Sequence, residues 1–221
     1  MKTKEVKSEN LVLTEFKAKE ILKKGFSVVK DDLLDEKQIK KILLEKNYSV
    51  NFPVVLKISS DAIVHKTEAG AVKVVYSKED FLKTLEDFLK KMPKYKARGI
   101  LLEEFVKGEE IIIGLKKDAT FGHVIGFGLG GIFVETVKDI SLRACPIEPE
   151  DFDSMLEDLK MKDLILGTRG KKNKIEELKK TVIEVSKLPI KNPRLLELDI
   201  NPLILNEKEC KIVDARIVFE R

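Results

Sequence analysis

Tryptophan is absent from the 221-residue chain, cysteine and histidine occur only twice each, and no apolar run reaches the length a membrane span needs. Each scarcity closes a class. Cys145 and Cys210 are far apart and sit in apolar or strand-like surroundings, so they do not supply a sulfur-ligated metal cluster and read as buried, reduced thiols, not a disulfide. The opening MKTKEVKSENLV lacks the apolar middle of a secretion signal, which points to the cytosol, with no membrane association. Blocks of one charge sign are missing too: 42 basic and 38 acidic residues are interleaved, and a net charge of +4 is too small and dispersed to argue for nucleic acid. Lys171, Lys172 and Lys174 come without interleaved aromatics and read as a solvated loop before a helix. Abundant Lys and Glu without Trp suit a heat-adapted surface.

What is present is a mixed α/β (α+β) pattern. Apolar residues recur at helical spacing over residues 14–24, 78–91, 150–160 and 175–188, with Gly25 placed to end the first helix, Ser77 to cap the second and Pro149 to start the third. Between them lie β-branched runs at 52–58, 71–76, 99–106, 110–116, 123–127, 195–200 and 211–219. The sequence VKGEE interrupts two apolar strands, so two lobes are expected, roughly 1–106 and 107–221.

Four polar constellations stand against this background. Lys57 follows the apolar run VVL, where it either offers a fixed charge to phosphate oxygens or is an exposed terminal lysine. In LLEEFVKGEEIIIG, the backbone at Glu104, Phe105 and Val106 could present an edge to a purine and Glu110 could accept ribose hydroxyls; the competing reading is a hairpin turning at Gly108. The glycines of IGFGLGGIFVE, Gly130 and Gly131 among them, allow backbone amides close to phosphate or make a plain tight turn, and their spacing is not that of a dinucleotide loop or a P-loop. Beyond them, Arg143 could hold a transferring phosphoryl group in its guanidinium fork. In LLELDINPLILNEKECKIVDARI, Asp199 and Asn201 share a strand face, and Asp214 on the next strand can join them to form a hard oxygen site suited to magnesium that carries nucleotide phosphates. Polar residues in so apolar a strand are costly unless satisfied.

Taken together, KISSDAIVHKTEAGAVKVV, EEFVKGEEIIIG, FGLGGIFVETVKDISLRACPI, LDINPLIL and VDARI resemble, in the same order and from about residue 13 to the C-terminus, the ATP-grasp domain of the nucleoside-diphosphate-forming acyl-CoA synthetases. Within that superfamily the chain is similar to the archaeal β subunits of ADP-forming acetyl-CoA synthetases. The resemblance implies two lobes with the nucleotide between them, ATP/ADP with Mg2+, and a partner α subunit that carries the CoA-binding domain and a phosphohistidine, assembled as two α and two β chains. It implies phosphate contacts for Lys57, adenine contacts for Glu104 to Val106, ribose for Glu110 and magnesium for Asp199, Asn201 and Asp214. It also implies that His65 is a second phosphoryl acceptor on the route to ADP, with a surface histidine as the alternative, whereas His123 in TFGHVIG reads as structural. The family's Ser-Pro-Asp is Ser-Ser-Asp at Ser59 to Asp61, and its Gly-Gly is Gly70–Ala71, changes that bear on loop stiffness. Two other readings are a succinyl-CoA synthetase-like β subunit, which would be much longer, and a non-catalytic nucleotide-binding regulatory module.

Overall fold

Period-two and period-3.6 burial decide the elements. The computed structural model describes residues 10–60, 69–131, 139–168 and 172–221. In chain order the elements are β1 (Leu11–Val12), α1 (Glu15–Leu22), β2 (Asp31–Leu34), α2 (Glu36–Glu45), β3 (Val54–Ser59), β4 (Val72–Val75), α3 (Lys78–Lys91), β5 (Gly99–Glu104), β6 (Glu109–Asp118), β7 (Gly122–Leu129), β8 (Ile140–Ala144), α4 (Pro149–Asp158), α5 (Lys162–Leu166), α6 (Ile175–Ser186), α7 (Leu188–Lys191), β9 (Leu195–Leu205), β10 (Cys210–Ile212) and β11 (Ala215–Phe219). They form two compact units, one of Val29–Val106 and one of the residues before Val29 together with Lys107–Arg221.

The larger unit is an antiparallel sheet in the order β1-β11-β9-β6-β7-β8, with β10 paired to β9. Ile111, Ile113 and Leu115 of β6, Ile125 and Phe127 of β7, and Leu198 and Ile200 of β9 turn one face into a core with Phe152 and Met155 of α4 and Leu178, Val182 and Val185 of α6. Phe127 and Phe152 stack with ring centroids 5.1 Å apart. The alternate residues, Ile112, Gly114, Lys116, Val124, Gly126, Leu142 and Asp199, line a cleft of about 750 Å3 on the opposite face.

The smaller unit is a four-stranded antiparallel sheet, β2-β5-β3-β4. Leu56, Ile58, Ile100 and Leu102 pack on Ile39 and Ile42 of α2 and on Phe81, Leu85 and Phe88 of α3. Asp35 and Gln38 close a capping box at α2, and Ser77 Oγ accepts from the Asp80 N–H at 3.2 Å to start α3.

Several expectations change here. Residues 10–28 of the expected 1–106 lobe belong with the larger unit, because β1 pairs with β11 and Ala18 and Leu22 of α1 enter its core. The reason is physical: so short a strand needs an open sheet edge, and β11 supplies one. The first helix ends at Leu22 with Lys23 still right-handed, and the Gly25 N–H simply bonds to the Leu22 carbonyl at 3.0 Å. Strands β5 and β6 lie in different sheets, so Gly108 is not the tip of a hairpin between them. The run 211–219 is two strands, broken at Val213–Asp214. Both cysteines are free, and burial pushes each thiol up to about 11. Among the described residues no helix is long and apolar enough to cross a membrane.

Candidate functional site

In the smaller unit, Lys57 is the fourth residue of β3 and is buried, not terminal and exposed. Antiparallel pairing sets Val55 opposite Glu103 and Lys57 opposite Leu101, so Lys57 and Glu103 are diagonal neighbours on one face; their Nζ and Oε2 atoms are 2.8 Å apart. Asp31 of β2 lies opposite Glu103 from the other side. Two carboxylate residues and one lysine therefore share a buried patch of sheet, with the ammonium held at a set position by a partner that water cannot replace. Glu103 and Asp31 were not among the residues singled out from sequence. The usable signal was parity: Glu103 shares its strand face with Leu101, which pairs with Lys57.

The next residues run off the sheet edge. Glu104 is bound to Lys30 twice: its N–H donates to the Lys30 carbonyl at 3.0 Å and its Oε1 accepts from the Lys30 N–H at 2.9 Å. Among the described residues, Phe105 and Val106 have no backbone hydrogen-bond partner, and both are half-buried. An extended segment with unused N–H and C=O groups beside apolar side chains can hold a flat heterocycle by its polar edge. The side chain of Glu104 is occupied by Lys30, which leaves Phe105 and Val106 as the open part of this segment.

In the larger unit, Glu110 meets the glycines. The Gly130 N–H donates to the Glu110 carbonyl at 2.6 Å, and a Cβ on Gly131, whose φ is +57°, would come within 2.5 Å of Glu110 Oε2. Glycine at 131 is thus favoured by the left-handed backbone, with the mobile end of the Glu110 side chain packed against it. Gly128 is required by space alone, since a Cβ there would lie 2.1 Å from the Asp139 carbonyl oxygen.

The strands carrying Asp199, Asn201 and Asp214 are joined tightly. The Asn201 N–H donates to the Asp214 carbonyl at 3.1 Å, while the Val213 and Asp214 N–H groups both donate to the Pro202 carbonyl, at 3.0 and 3.3 Å. Asn201–Pro202 is a cis peptide. These bonds bring Asn201 and Asp214 side by side at the backbone. Asp199 sits two register steps away, in a row that crosses the sheet as Arg216, Asp199, Gly114, Gly126 and Leu142. Burial raises the Asp199 pKa, Glu197 adds to the rise, and Arg216 opposes it. Arg216 also pairs with Glu197 at 2.7 Å. Among the described residues no three His, Cys, Asp or Glu side chains cluster as a metal site. Two carboxylates and an amide are nonetheless all hard oxygen donors, the chemistry a magnesium ion takes when phosphates complete its shell.

Arg143 lines the same cleft as Gly126 and Asp199, and its guanidinium is held by neighbours on β8 and α4. It shares a strand face with Ser141, and its guanidinium donates to Asp158 Oδ2 at 2.8 Å, Ser154 Oγ at 2.9 Å and Ser141 Oγ at 3.3 Å, tying β8 to α4. His123 Nε2 lies 2.7 Å from the Leu195 carbonyl, a bond between strands β7 and β9. His65 lies outside the described residues.

Comparison with known proteins places these features in a family. The model of the ATP-grasp domain matches residues 4–219. The β subunit of an ADP-forming acetate–CoA ligase I from Pyrococcus furiosus is 35% identical, over 96% of this chain and 94% of its own length. An ADP-forming acetate–CoA ligase I from Archaeoglobus fulgidus is 37% identical, but there the match spans only 26% of the relative, so this chain corresponds to about a quarter of such longer proteins. Among solved structures, the acetyl-coenzyme A synthetase 1 of Ca. Korarchaeum cryptofilum, in complex with coenzyme A and Ca-AMPCP, superposes with a TM-score of 0.84 at 36% identity, covering 95% of this chain and 93% of that one. A second structure of that enzyme, with coenzyme A and Mg-AMPPCP and a phosphohistidine segment pointing towards the nucleotide-binding site, gives 0.78 at 35%, with the same coverage. The expected ATP-grasp fold stands, and the chain belongs to the ATP-grasp family and, within it, with the β subunits of ADP-forming acetate–CoA ligases.

Proposed function

We propose that this chain is the nucleotide-binding subunit of an ADP-forming acyl-CoA synthetase and moves a phosphoryl group between a phosphohistidine and ADP. In the direction of ATP formation, a β-phosphate oxygen of ADP attacks phosphorus, the P–N bond to the imidazole breaks, and a proton restores the neutral ring. Lys57, fixed by Glu103, holds charge beside the phosphates, and the bare backbone of Phe105 and Val106 holds the purine. Glu110 takes the ribose hydroxyls, and the Gly130–Gly131 turn packed against it is the backbone that the phosphates approach. Asn201 and Asp214, with Asp199 beside them, hold magnesium, which supplies neutralisation of the phosphate charge as it shifts. The phosphohistidine and the CoA-binding domain come from an α subunit, in an assembly of two α and two β chains in the cytosol. His65 of this chain is a second phosphoryl acceptor, and Arg143 acts as a strut between β8 and α4.

The observation that carries this reading is the backbone apposition of Asn201 and Asp214 in a chain that matches a β subunit over nearly its whole length. Relatives of this kind include an ADP-forming 4-hydroxybutyrate–CoA ligase and a trans-feruloyl-CoA synthase as well as the acetate enzymes. The acyl group is therefore a property to be measured with the α subunit. The test is calorimetric titration of the purified chain with ADP, with and without magnesium. Asp214→Asn is expected to reduce the magnesium-linked affinity by about 10-fold or more without loss of fold; equal magnesium-linked binding in both proteins overturns the cation assignment.

A further inference from the structure

Lys19 is fully buried in the larger unit, with no part of it exposed to solvent. It lies on α1, near the other end of the chain from the strands that carry Asn201 and Asp214. Taking an ammonium out of water costs several kcal/mol unless it is paired and hydrogen-bonded. A methionine of similar length would fill the same space at no such cost, next to Ala18 and Leu22, which already join the apolar core.

The ammonium has two partners of interest. Glu15, one helical turn earlier and itself almost fully buried, places Oε1 at 3.3 Å, and Lys19 Nζ donates to the Val213 carbonyl at 3.4 Å. Val213 is the residue immediately before Asp214, in the short link between β10 and β11. That link is gripped on its other side by the Pro202 carbonyl, which accepts from the N–H groups of Val213 and Asp214, while the Asn201 N–H bonds to the Asp214 carbonyl. Lys19 thus anchors, through the carbonyl of one residue, the backbone from which the next residue's carboxylate projects.

We propose that Lys19, held by Glu15, is a positioning residue for the Asn201–Asp214 cation site. This rests on the assignment of Asn201 and Asp214 as magnesium-holding residues made above. Lys19 touches neither nucleotide nor cation. It sets the peptide plane at Val213–Asp214, and with it the distance between the two oxygen donors, which an octahedral cation with short bonds reads closely. The N-terminal helix therefore belongs to the nucleotide site as its support, and the buried charge is retained for geometry.

The experiment is calorimetric titration of the full chain with ADP, with and without magnesium, on the wild type, Lys19→Met and Lys19→Arg, beside thermal unfolding of each. Expected for Lys19→Met is a folded protein whose cation-free ADP affinity is unchanged and whose magnesium-linked gain in affinity falls about 10- to 100-fold, as when a supporting residue behind a metal ligand is removed. Lys19→Arg, which keeps a charged donor, restores part of the gain. A merely structural lysine would lower the unfolding temperature and leave the magnesium-linked gain intact, and that result overturns the proposal. Should Lys19→Met not fold, Glu15→Gln is measured in its place. It leaves Lys19 but weakens its anchor, and an unchanged magnesium-linked gain there overturns the proposal equally. If the wild type itself shows no magnesium-linked binding of ADP, the cation assignment fails first and this inference falls with it.

Discussion

The two sheets handle charge in opposite ways. In the four-stranded sheet, Lys57 and Glu103 are both buried and closely paired, so the charge is fixed in place before any ligand arrives. In the seven-stranded sheet, Asp199 is half-buried between a like charge at Glu197 and an opposite one at Arg216, beside a strand position that Gly114 leaves open. The first arrangement suits binding of phosphate, which is charged at all times. The second suits a place where charge arrives and leaves, because a carboxylate whose pKa burial has already raised responds readily to a cation or to a second anion.

The largest test of this contrast is to break the buried pair. Lys57→Met alone should destabilise the protein by about 3–5 kcal/mol, because Glu103 keeps a buried charge. The double variant Lys57→Met/Glu103→Leu should recover most of that loss while remaining poor at binding ADP. Denaturant unfolding checks the first statement and calorimetry the second; a single variant as stable as the wild type would mean that the pair is well solvated. Next in size are the glycines of the seven-stranded sheet. Gly128→Ala must push against the Asp139 carbonyl and should cost about 1–3 kcal/mol. Gly114→Ala meets nothing within 4 Å and should leave the unfolding midpoint near that of the wild type. Equal costs at the two positions would remove the distinction between a packed glycine and an open one.

The smallest effect belongs to Arg143. Its hydrogen bond to Asp158, helped by Ser141, lowers that carboxyl below the ordinary aspartate value. A group whose pKa is lowered on folding adds stability above its unfolded value and loses it as the pH falls through the folded one. Arg143→Met should therefore be slightly less stable than the wild type at neutral pH, and the two proteins should converge in strong acid. Magnesium-linked ADP binding should be the same in both, and a marked loss of it would return Arg143 to the nucleotide site.

Most of the architecture was legible where periodicity was strong. Phe81, Leu85, Phe88 and Met92 marked α3, and Ser77 its start, because both signals are local. Helix α2 carried an equally local signal, the Asp35–Gln38 capping box, which a search for apolar stripes alone passes over. Strands β1, β2 and β8 are short or partly charged, and only their partners make them strands. In the candidate site, the residue types at 199, 201 and 214 stood out because polar groups in an apolar strand need a reason. Burial of lysines was not legible: Lys19 in EFKAKEIL looks like any exposed helical lysine, and only tertiary packing shows otherwise. For Arg143, the pairing with Asp158 across fifteen residues is likewise a product of the fold.

Strand β1 finds its place against β11, at Leu11 beside Phe219 and Val12 beside Val218. A chain made from its N-terminus can complete the unit Val29–Val106 from neighbouring residues while the rest is still being added. The segment before Val29 has no such option. It can pair only once β11 has been made, and closing so long a loop carries an entropic cost. Removal of β11 would therefore release β1 as well.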